Sequence, residues 1–102
     1  MAMKELEINC VTKLKDAQGR ERVTGIGNNT HRWSLSHEIA MARIETLVEA
    51  YYTLDRKTKK RAYVGVVREP GKAPRLRTHA DGFWTDDLLA LAECGAACVR
   101  VA

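Results

Sequence analysis

Residues 5–15, ELEINCVTKLK, alternate between apolar and polar side chains, and this pattern restricts the fold more than any other stretch. Successive side chains of a β-strand point to opposite faces, so one face carries Leu6, Ile8, Cys10 and Leu14. The other face carries Glu5, Glu7, Asn9, Lys13 and Lys15. One apolar and one charged face is typical of an antiparallel sheet that is solvated on one side. The stretch predicts a single strand of such a sheet.

Further strands are predicted between turn signals. Asp16–Gly19 is rich in turn residues, and ERVTGIG after it can return as a partner strand. Gly25 and Gly27 lack the third glycine of a dinucleotide-binding fingerprint, so they predict a bulge or close packing. The stretch RAYVGVVR is apolar on both faces, which indicates a central strand, and RLRT is a short strand after a proline-containing loop.

One helix is predicted over residues 36–50, with Ser34 or Ser36 as its N-cap. Apolar side chains recur at helical spacing on one side, from Ala40 to Tyr51, and Glu38, Glu45 and Glu49 lie on the opposite side as a solvated surface. A length of 102 residues fits one domain, residues 1–102. The prediction is an α+β fold: an antiparallel sheet of about four to five strands with one main helix on one face. The order is ββαβββ plus a short C-terminal helical turn.

Composition sets the cellular context. No apolar run approaches the roughly 18 residues that a membrane span needs, and the N-terminal stretch MAMKELEINC lacks an apolar signal region. A cytoplasmic protein is therefore expected, with Cys10, Cys94 and Cys98 as reduced, buried or partly buried thiols. A zinc site would need a fourth ligand such as His79 beside the three cysteines, and the spacing of the cysteines does not require such a site. Neither a metal nor a cofactor is predicted.

Positive charge concentrates in residues 56–77, which hold nine basic side chains and one acid, whereas the remainder of the chain carries a net charge of −4. Such a segment can neutralise phosphates. The candidate binding residues are Arg56, Lys57, Lys59, Lys60, Arg61, Arg75 and Arg77. The alternative is a solvated hairpin tip whose lysines discourage edge-to-edge association. The aromatic platform of single-strand RNA binders is mostly absent from the sequence, with Tyr63 alone on a suitable strand.

A second candidate is the polar cluster formed by His79, Asp81, Asp86 and Asp87. Asp81-Gly82 is a typical turn dipeptide, Thr85 is a good N-cap, and carboxylates are favourable in a first helical turn. These structural roles account for every member of the cluster and are favoured. The alternative sets His79 and Asp81 two residues apart as an acid–base pair, or adds the other aspartates to bind a metal. No catalytic residue is predicted.

Several stretches resemble one family along almost the whole chain. They are INCVT at 8–12, the glycine and asparagine pattern from Gly19 to Asn29, WSLSHEIA at 33–40, YY at 51–52, LRTHADG at 76–82 and DLLALAEC at 87–94. Their order and spacing resemble a family of small bacterial domains of unknown function, DUF3892. The resemblance implies a single small soluble α+β domain and carries no activity, cofactor or catalytic residue.

The function favoured by these observations is a non-enzymatic binding or assembly module whose partner is an unknown protein or nucleic acid. Nucleic-acid binding through residues 56–77 is the main alternative, and an acid–base enzyme using His79 and Asp81 is the second. No membrane partner is predicted, and exposed sheet edges leave weak self-association open.

Overall fold

The computed structural model describes residues 4–80, 82–85 and 87–101. Within these residues, ten strands accompany one α-helix and one short 3-10 turn. In chain order they are β1 (Lys4–Glu7), β2 (Cys10–Lys15), β3 (Glu21–Asn28), β4 (Trp33–Ser36), α1 (His37–Glu45), β5 (Glu49–Leu54), β6 (Arg61–Val67), β7 (Arg75–Ala80), β8 (Phe83–Thr85), the 3-10 turn (Asp87–Ala90), β9 (Ala92–Glu93) and β10 (Val99–Arg100).

The strands form two sheets of mixed direction. Sheet A has the order β1-β5-β6-β7-β8, and sheet B has the order β10-β4-β3-β2-β9. The central pairs of both sheets are antiparallel, whereas β1 pairs with β5, β9 with β2, and β10 with β4 in parallel. The α+β class is confirmed. The expectation of one antiparallel sheet in the order ββαβββ is wrong, because four strands precede the helix and the strands divide between two sheets.

The division begins within the first alternating stretch. The backbone N–H of Ile8 donates to the carbonyl of Tyr52 in sheet A at 2.8 Å, and the next N–H, from Asn9, donates to the carbonyl of Gly27 in sheet B at 3.0 Å. One predicted strand therefore becomes two, β1 and β2. The change of sheet also reverses the buried face, because Val11 is fully buried whereas Leu14 is 64% exposed.

The helix begins as predicted and ends early. The hydroxyl of Ser36 accepts the N–H of Ile39 at 3.3 Å, which confirms Ser36 as the N-cap. Leu47 adopts a φ of 59°, which is incompatible with a continuing helix, and β5 starts two residues later. The predicted end at residue 50 is therefore wrong.

Glu49 consequently does not lie on a solvated helix face. Its carboxylate accepts the hydroxyl of Tyr51 at 2.7 Å and the guanidinium of Arg43 at 2.9 Å. Burial and the neighbouring carboxylate raise the pKa of Tyr51, so its hydroxyl keeps its proton to a higher pH than a free tyrosine does. This chain of contacts fastens the end of α1 to sheet A.

The core lies between the two sheets, and α1 packs against strands of both. Its buried members come from nearly every element: Ile8, Val11, Ile26, Leu35, Ala40, Tyr51, Val64, Leu76 and Leu88. Leu88, in the 3-10 turn, is 2% exposed and packs at the edge of this core. No helix in the described part of the chain is long and apolar enough to cross a membrane.

The segment before the 3-10 turn differs from the sequence expectation. Thr85 belongs to β8 and lies opposite Thr78 in β7, so it is not the N-cap of a helix. The two threonine hydroxyls lie 2.6 Å apart. A short β-hairpin thus adds a fifth strand to sheet A, and the expected helical segment is reduced to one 3-10 turn.

Gly25 and Gly27 are close-packed, as predicted. A β-carbon on Gly27 would lie 2.4 Å from the carbonyl oxygen of Trp33, and one on Gly25 would lie 2.8 Å from that of Leu35. Opposite Gly25, the pairing of β2 with β3 also shifts register between Thr12 and Lys13. The two glycines therefore let β3 and β4 approach each other in sheet B.

We expect Gly27→Ala to lower the free energy of unfolding by about 1–3 kcal/mol, because backbone atoms of β4 cannot move aside cheaply. Denaturant titration followed by circular dichroism measures the change. Gly95→Ala is the matched control, since a β-carbon there would meet its nearest atom at 3.7 Å and should change stability by less than about 0.5 kcal/mol. Equal stability of the Gly27→Ala variant and the unaltered chain would contradict the close packing of these strands.

Candidate functional site

A row of ring side chains crosses the outer face of sheet A. The strand registers place Glu7 beside Tyr52, Tyr52 opposite Tyr63, Tyr63 opposite His79 and His79 opposite Trp84. Directly paired residues point to the same face of a sheet. We call Tyr52, Tyr63, His79 and Trp84 the ring row. It contributes one ring from each of four adjacent strands.

The ring row consists of two contacting pairs. The ring centroids of Tyr52 and Tyr63 lie 5.9 Å apart and tilted, and those of His79 and Trp84 lie 5.1 Å apart in an edge-on arrangement. Tyr63 and Trp84 remain 40% and 44% exposed. The inner face of sheet A is covered by α1 and sheet B. Among the described residues, no helix or loop covers Tyr63 and Trp84 to that extent. The ring row therefore presents exposed aromatic rings on the open outer face of sheet A.

Gly65 in the central strand makes room for Trp84. A β-carbon on Gly65 would lie 2.7 Å and 2.9 Å from two atoms of the six-membered part of the indole. Gly65 pairs with Arg77 across β6 and β7, so the indole reaches back over the sheet past β7. The missing side chain at Gly65 thus allows Trp84 to lie across the sheet surface.

Arginine and glutamate side chains surround the tyrosines of the ring row. The guanidinium carbon of Arg61 lies 4.2 Å from the centroid of the Tyr52 ring, a cation–π contact. Arg61 also lies 3.5 Å from the carboxylate of Glu5, and the hydroxyl of Tyr63 donates to that carboxylate at 2.6 Å. These contacts hold both tyrosines in defined positions on the face.

The structure distributes the predicted basic residues along this same sheet. Arg56, Lys57, Lys59 and Lys60 lie in or next to the turn between β5 and β6, and Arg61 begins β6 beside them. Arg77 lies opposite Gly65, next to the ring row, whereas Arg75 lies opposite Val67 at the other end of β6. The seven residues are thus brought to one sheet but not to one cluster. They lie on both sides of the ring row.

Acidic partners reduce part of this positive charge. Glu7 lies 3.9 Å from Arg56, and Glu69 accepts from Arg75 at 3.3 Å. Arg68, also in the basic segment, makes two hydrogen bonds to Glu45 of α1 and thereby lowers the pKa of Glu45. Within residues 4–80, 82–85 and 87–101, the ammonium groups of Lys57 and Lys59 make no ion pair. Within the basic segment, Lys57 and Lys59 at the hairpin tip are therefore open to an anionic ligand.

The predicted polar cluster is described only in part. His79 is exposed and stands against Trp84 in the ring row. Asp81 and Asp86 lie outside the described residues, and of Asp87 only the backbone, at the start of the 3-10 turn, is described. The acid–base pair therefore stays a hypothesis, and the described chain places His79 on an open surface.

The cysteines depart from the expectation of three reduced thiols. Cys10 and Cys94 form a disulfide with a Cα–Cα distance of 4.8 Å, and Cys98 is free and half-buried. The pairing joins residues 84 positions apart and depends on β9 lying beside β2. Local spacing gave no signal for it, because only the sheet register brings the two residues together.

The ring row was also missed by sequence reasoning. Its members are separated by 11, 16 and 5 positions, so no recognised short motif contains two of them. Tyr63 was recognised because it lies in the central strand. The useful signal is the pairing of β5 with β6 and of β6 with β7, which the short connections at 55–60 and 68–74 allow.

Comparison with known proteins identifies one relationship. The family model described as Protein of unknown function (DUF3892) matches residues 7–92. This range includes β5 to β8, the ring row and the basic segment, and it ends before Cys94. No curated protein and no solved structure matches the chain.

Proposed function

We propose that this chain, which belongs to the DUF3892 family of proteins of unknown function, is a binding module for single-stranded nucleic acid. Its binding surface is the outer face of sheet A. The observation that carries the proposal is the exposed ring row with arginines and lysines on both sides of it. It acts by binding, without catalysis.

The rings supply stacking surfaces for unpaired bases. Neighbouring strands lie about 4.8 Å apart, so the three steps from Tyr52 to Trp84 span roughly 14 Å. Tyr63 and Trp84 keep two-fifths of their surface open, and they belong to different contacting pairs. Two successive bases can therefore stack on this face, one over each pair. Such stacking tolerates any sequence, since every base has a π-face.

The basic side chains supply contacts to the phosphates. Lys57, Lys59 and Lys60 lie at the hairpin tip on one side of the ring row, and Arg75, whose charge Glu69 partly offsets, lies on the other side. A backbone that runs along β6 would meet cations before and after its bases reach the rings. Phosphate contacts of this kind give affinity that falls as salt concentration rises.

A single strand fits this surface better than a duplex. Bases in a duplex are already stacked on each other and cannot lie on a protein ring without being extruded. Preference for single strands is therefore part of the proposal.

Replacing the rings tests the stacking contribution. We expect Tyr63→Ala and Trp84→Ala each to weaken binding of a mixed-sequence single-stranded oligonucleotide about 5- to 150-fold, because one base–ring stack contributes about 1–3 kcal/mol. Fluorescence anisotropy of a labelled oligonucleotide measures the change. Phe83→Ala is the matched control, since Phe83 is 73% exposed on the same strand but points away from the ring row.

The ring proposal fails if the unaltered chain shows no binding to such oligonucleotides at low salt. It also fails if Phe83→Ala costs as much affinity as Trp84→Ala. Circular dichroism of each variant confirms that the fold is retained before binding is compared.

Replacing charge at the hairpin tip tests the phosphate contribution. We expect the triple change Lys57→Gln, Lys59→Gln and Lys60→Gln to weaken binding equally for every oligonucleotide sequence. The slope of log affinity against log salt should become shallower by about 0.7 for each phosphate that the variant no longer neutralises. Arg61 is retained because its guanidinium contacts the Tyr52 ring and Glu5, so its loss would disturb the ring row as well.

The matched control removes the same charge from sheet B, with Lys15→Gln, Arg32→Gln and Arg100→Gln at exposed positions. This control should leave affinity within about 2-fold and the slope unchanged. If the control variant lost as much affinity as the tip variant, binding would depend on net charge alone. That result would contradict a binding surface localised to the outer face of sheet A.

A further inference from the structure

The three cysteines meet on the outer face of sheet B, far along the chain from one another. β9 and β10 pair with opposite edges of this sheet, so residues 94–98 cross from one edge to the other. This crossing segment brings Cys94 and Cys98 to Cys10 at the start of β2. The sulfur atoms of the three residues all lie within 4.8 Å of one another.

The residues around the three sulfur atoms leave space for these atoms to lie close together. Cys10 is fully buried, whereas Cys94 and Cys98 are half-buried, so the group is accessible from one side. A β-carbon on Gly27 would lie 3.1 Å from the sulfur of Cys94, which shows that the sulfur occupies the space the glycine leaves. The thiol of Cys98 donates to Asn29 Oδ1 at 3.2 Å.

Hydrogen bonds hold the crossing segment in addition to the disulfide. The N–H of Cys94 donates to the carbonyl of Val11 at 3.0 Å. Asn29 accepts the N–H of Gly95 at 2.9 Å and donates to the carbonyl of Glu93 at 3.2 Å. Its own N–H is bound by Asn9 Oδ1 at 2.8 Å. The three sulfurs therefore stay close when the bond between Cys10 and Cys94 is opened.

We propose that the reduced chain binds a zinc ion through the thiolates of Cys10, Cys94 and Cys98. Zinc–sulfur bonds of about 2.3 Å place tetrahedral sulfur ligands roughly 3.8 Å apart, a separation that fits a group lying within 4.8 Å. Thiolates select zinc and copper(I) over harder cations. Three protein ligands leave the fourth position to water or to a further ligand, as in zinc sites that are open to exchange.

The disulfide and the metal are alternative states of the same sulfurs. A dithiol reductant transfers two electrons and two protons to the Cys10–Cys94 bond, which gives two thiols and the oxidised, cyclic disulfide of the reductant. Zinc then replaces the three thiol protons, which pass to solvent or buffer. A disulfide oxidant accepts two electrons from the Cys10 and Cys94 thiolates and, with two protons from solvent, becomes two thiols. The Cys10–Cys94 bond forms in the same exchange, so two ligands are lost and the ion is released. Zinc affinity therefore depends on the redox state of this one pair.

Metal binding by the full chain tests the proposal. The protein is reduced with dithiothreitol, desalted without oxygen, and titrated with zinc against a chromophoric chelator. We expect about one zinc per reduced chain and no binding to the oxidised chain. With cobalt(II) in place of zinc, thiolate-to-metal charge-transfer absorption and the intense visible bands of tetrahedral cobalt should appear together.

Cys98→Ser is the decisive variant, because it retains the Cys10–Cys94 disulfide and so retains the oxidised fold. After reduction, its zinc affinity should fall by at least roughly 10- to 100-fold. A loss of that size follows when a residue that only hydrogen-bonds to a metal ligand is removed, and Cys98 is proposed as a ligand itself. Ala97→Ser, at the neighbouring exposed position, is the control and should bind zinc like the unaltered chain.

Two results would overturn the proposal. The first is a reduced chain with three titratable thiols that binds neither zinc nor cobalt(II). The second is unchanged zinc affinity in the Cys98→Ser variant. If reduction unfolds the chain, zinc should restore its circular dichroism spectrum, and a chain that remains unfolded with zinc present counts against the site equally.

Discussion

The transfer of the backbone from one sheet to the other at Ile8 and Asn9 is the constraint on which the rest of the structure depends. Two consecutive N–H groups donate to different sheets, to Tyr52 in sheet A and to Gly27 in sheet B. Buried backbone donors must be satisfied, so these two bonds fix the two sheets relative to each other at this point. Ile8, 1% exposed between them, joins the core that both inner faces share.

With both inner faces occupied, the two outer faces take different roles. The outer face of sheet B is crossed by the C-terminal segment, which the Asn29 contacts and the cysteines fasten in place. The outer face of sheet A carries the ring row, and Tyr63 and Trp84 stay open on it. The proposed nucleic-acid surface and the proposed zinc site therefore lie on opposite sides of the molecule, and each can be tested without disturbing the other.

Local signals predicted local structure. The turn residues at Asp16–Gly19, the N-cap at Ser36 and the central position of β6 follow from residue types within a few positions. The break at Ile8 and Asn9 could not be predicted, because the alternation of apolar and polar residues continues across it while the buried face reverses. The ring row and the disulfide depend on strand register between distant segments, which a single sequence does not encode in any short motif.

The most direct test of the central claim is a residue-resolved NMR titration of the intact chain with a mixed-sequence single-stranded oligonucleotide. We expect the largest shifts at the ring protons of Tyr63 and Trp84 and at the backbone amides of β5 to β8, with the residues of sheet B nearly unchanged. Shifts confined to sheet B, or the absence of any shift at low salt, would contradict the assignment of the outer face of sheet A as the binding surface.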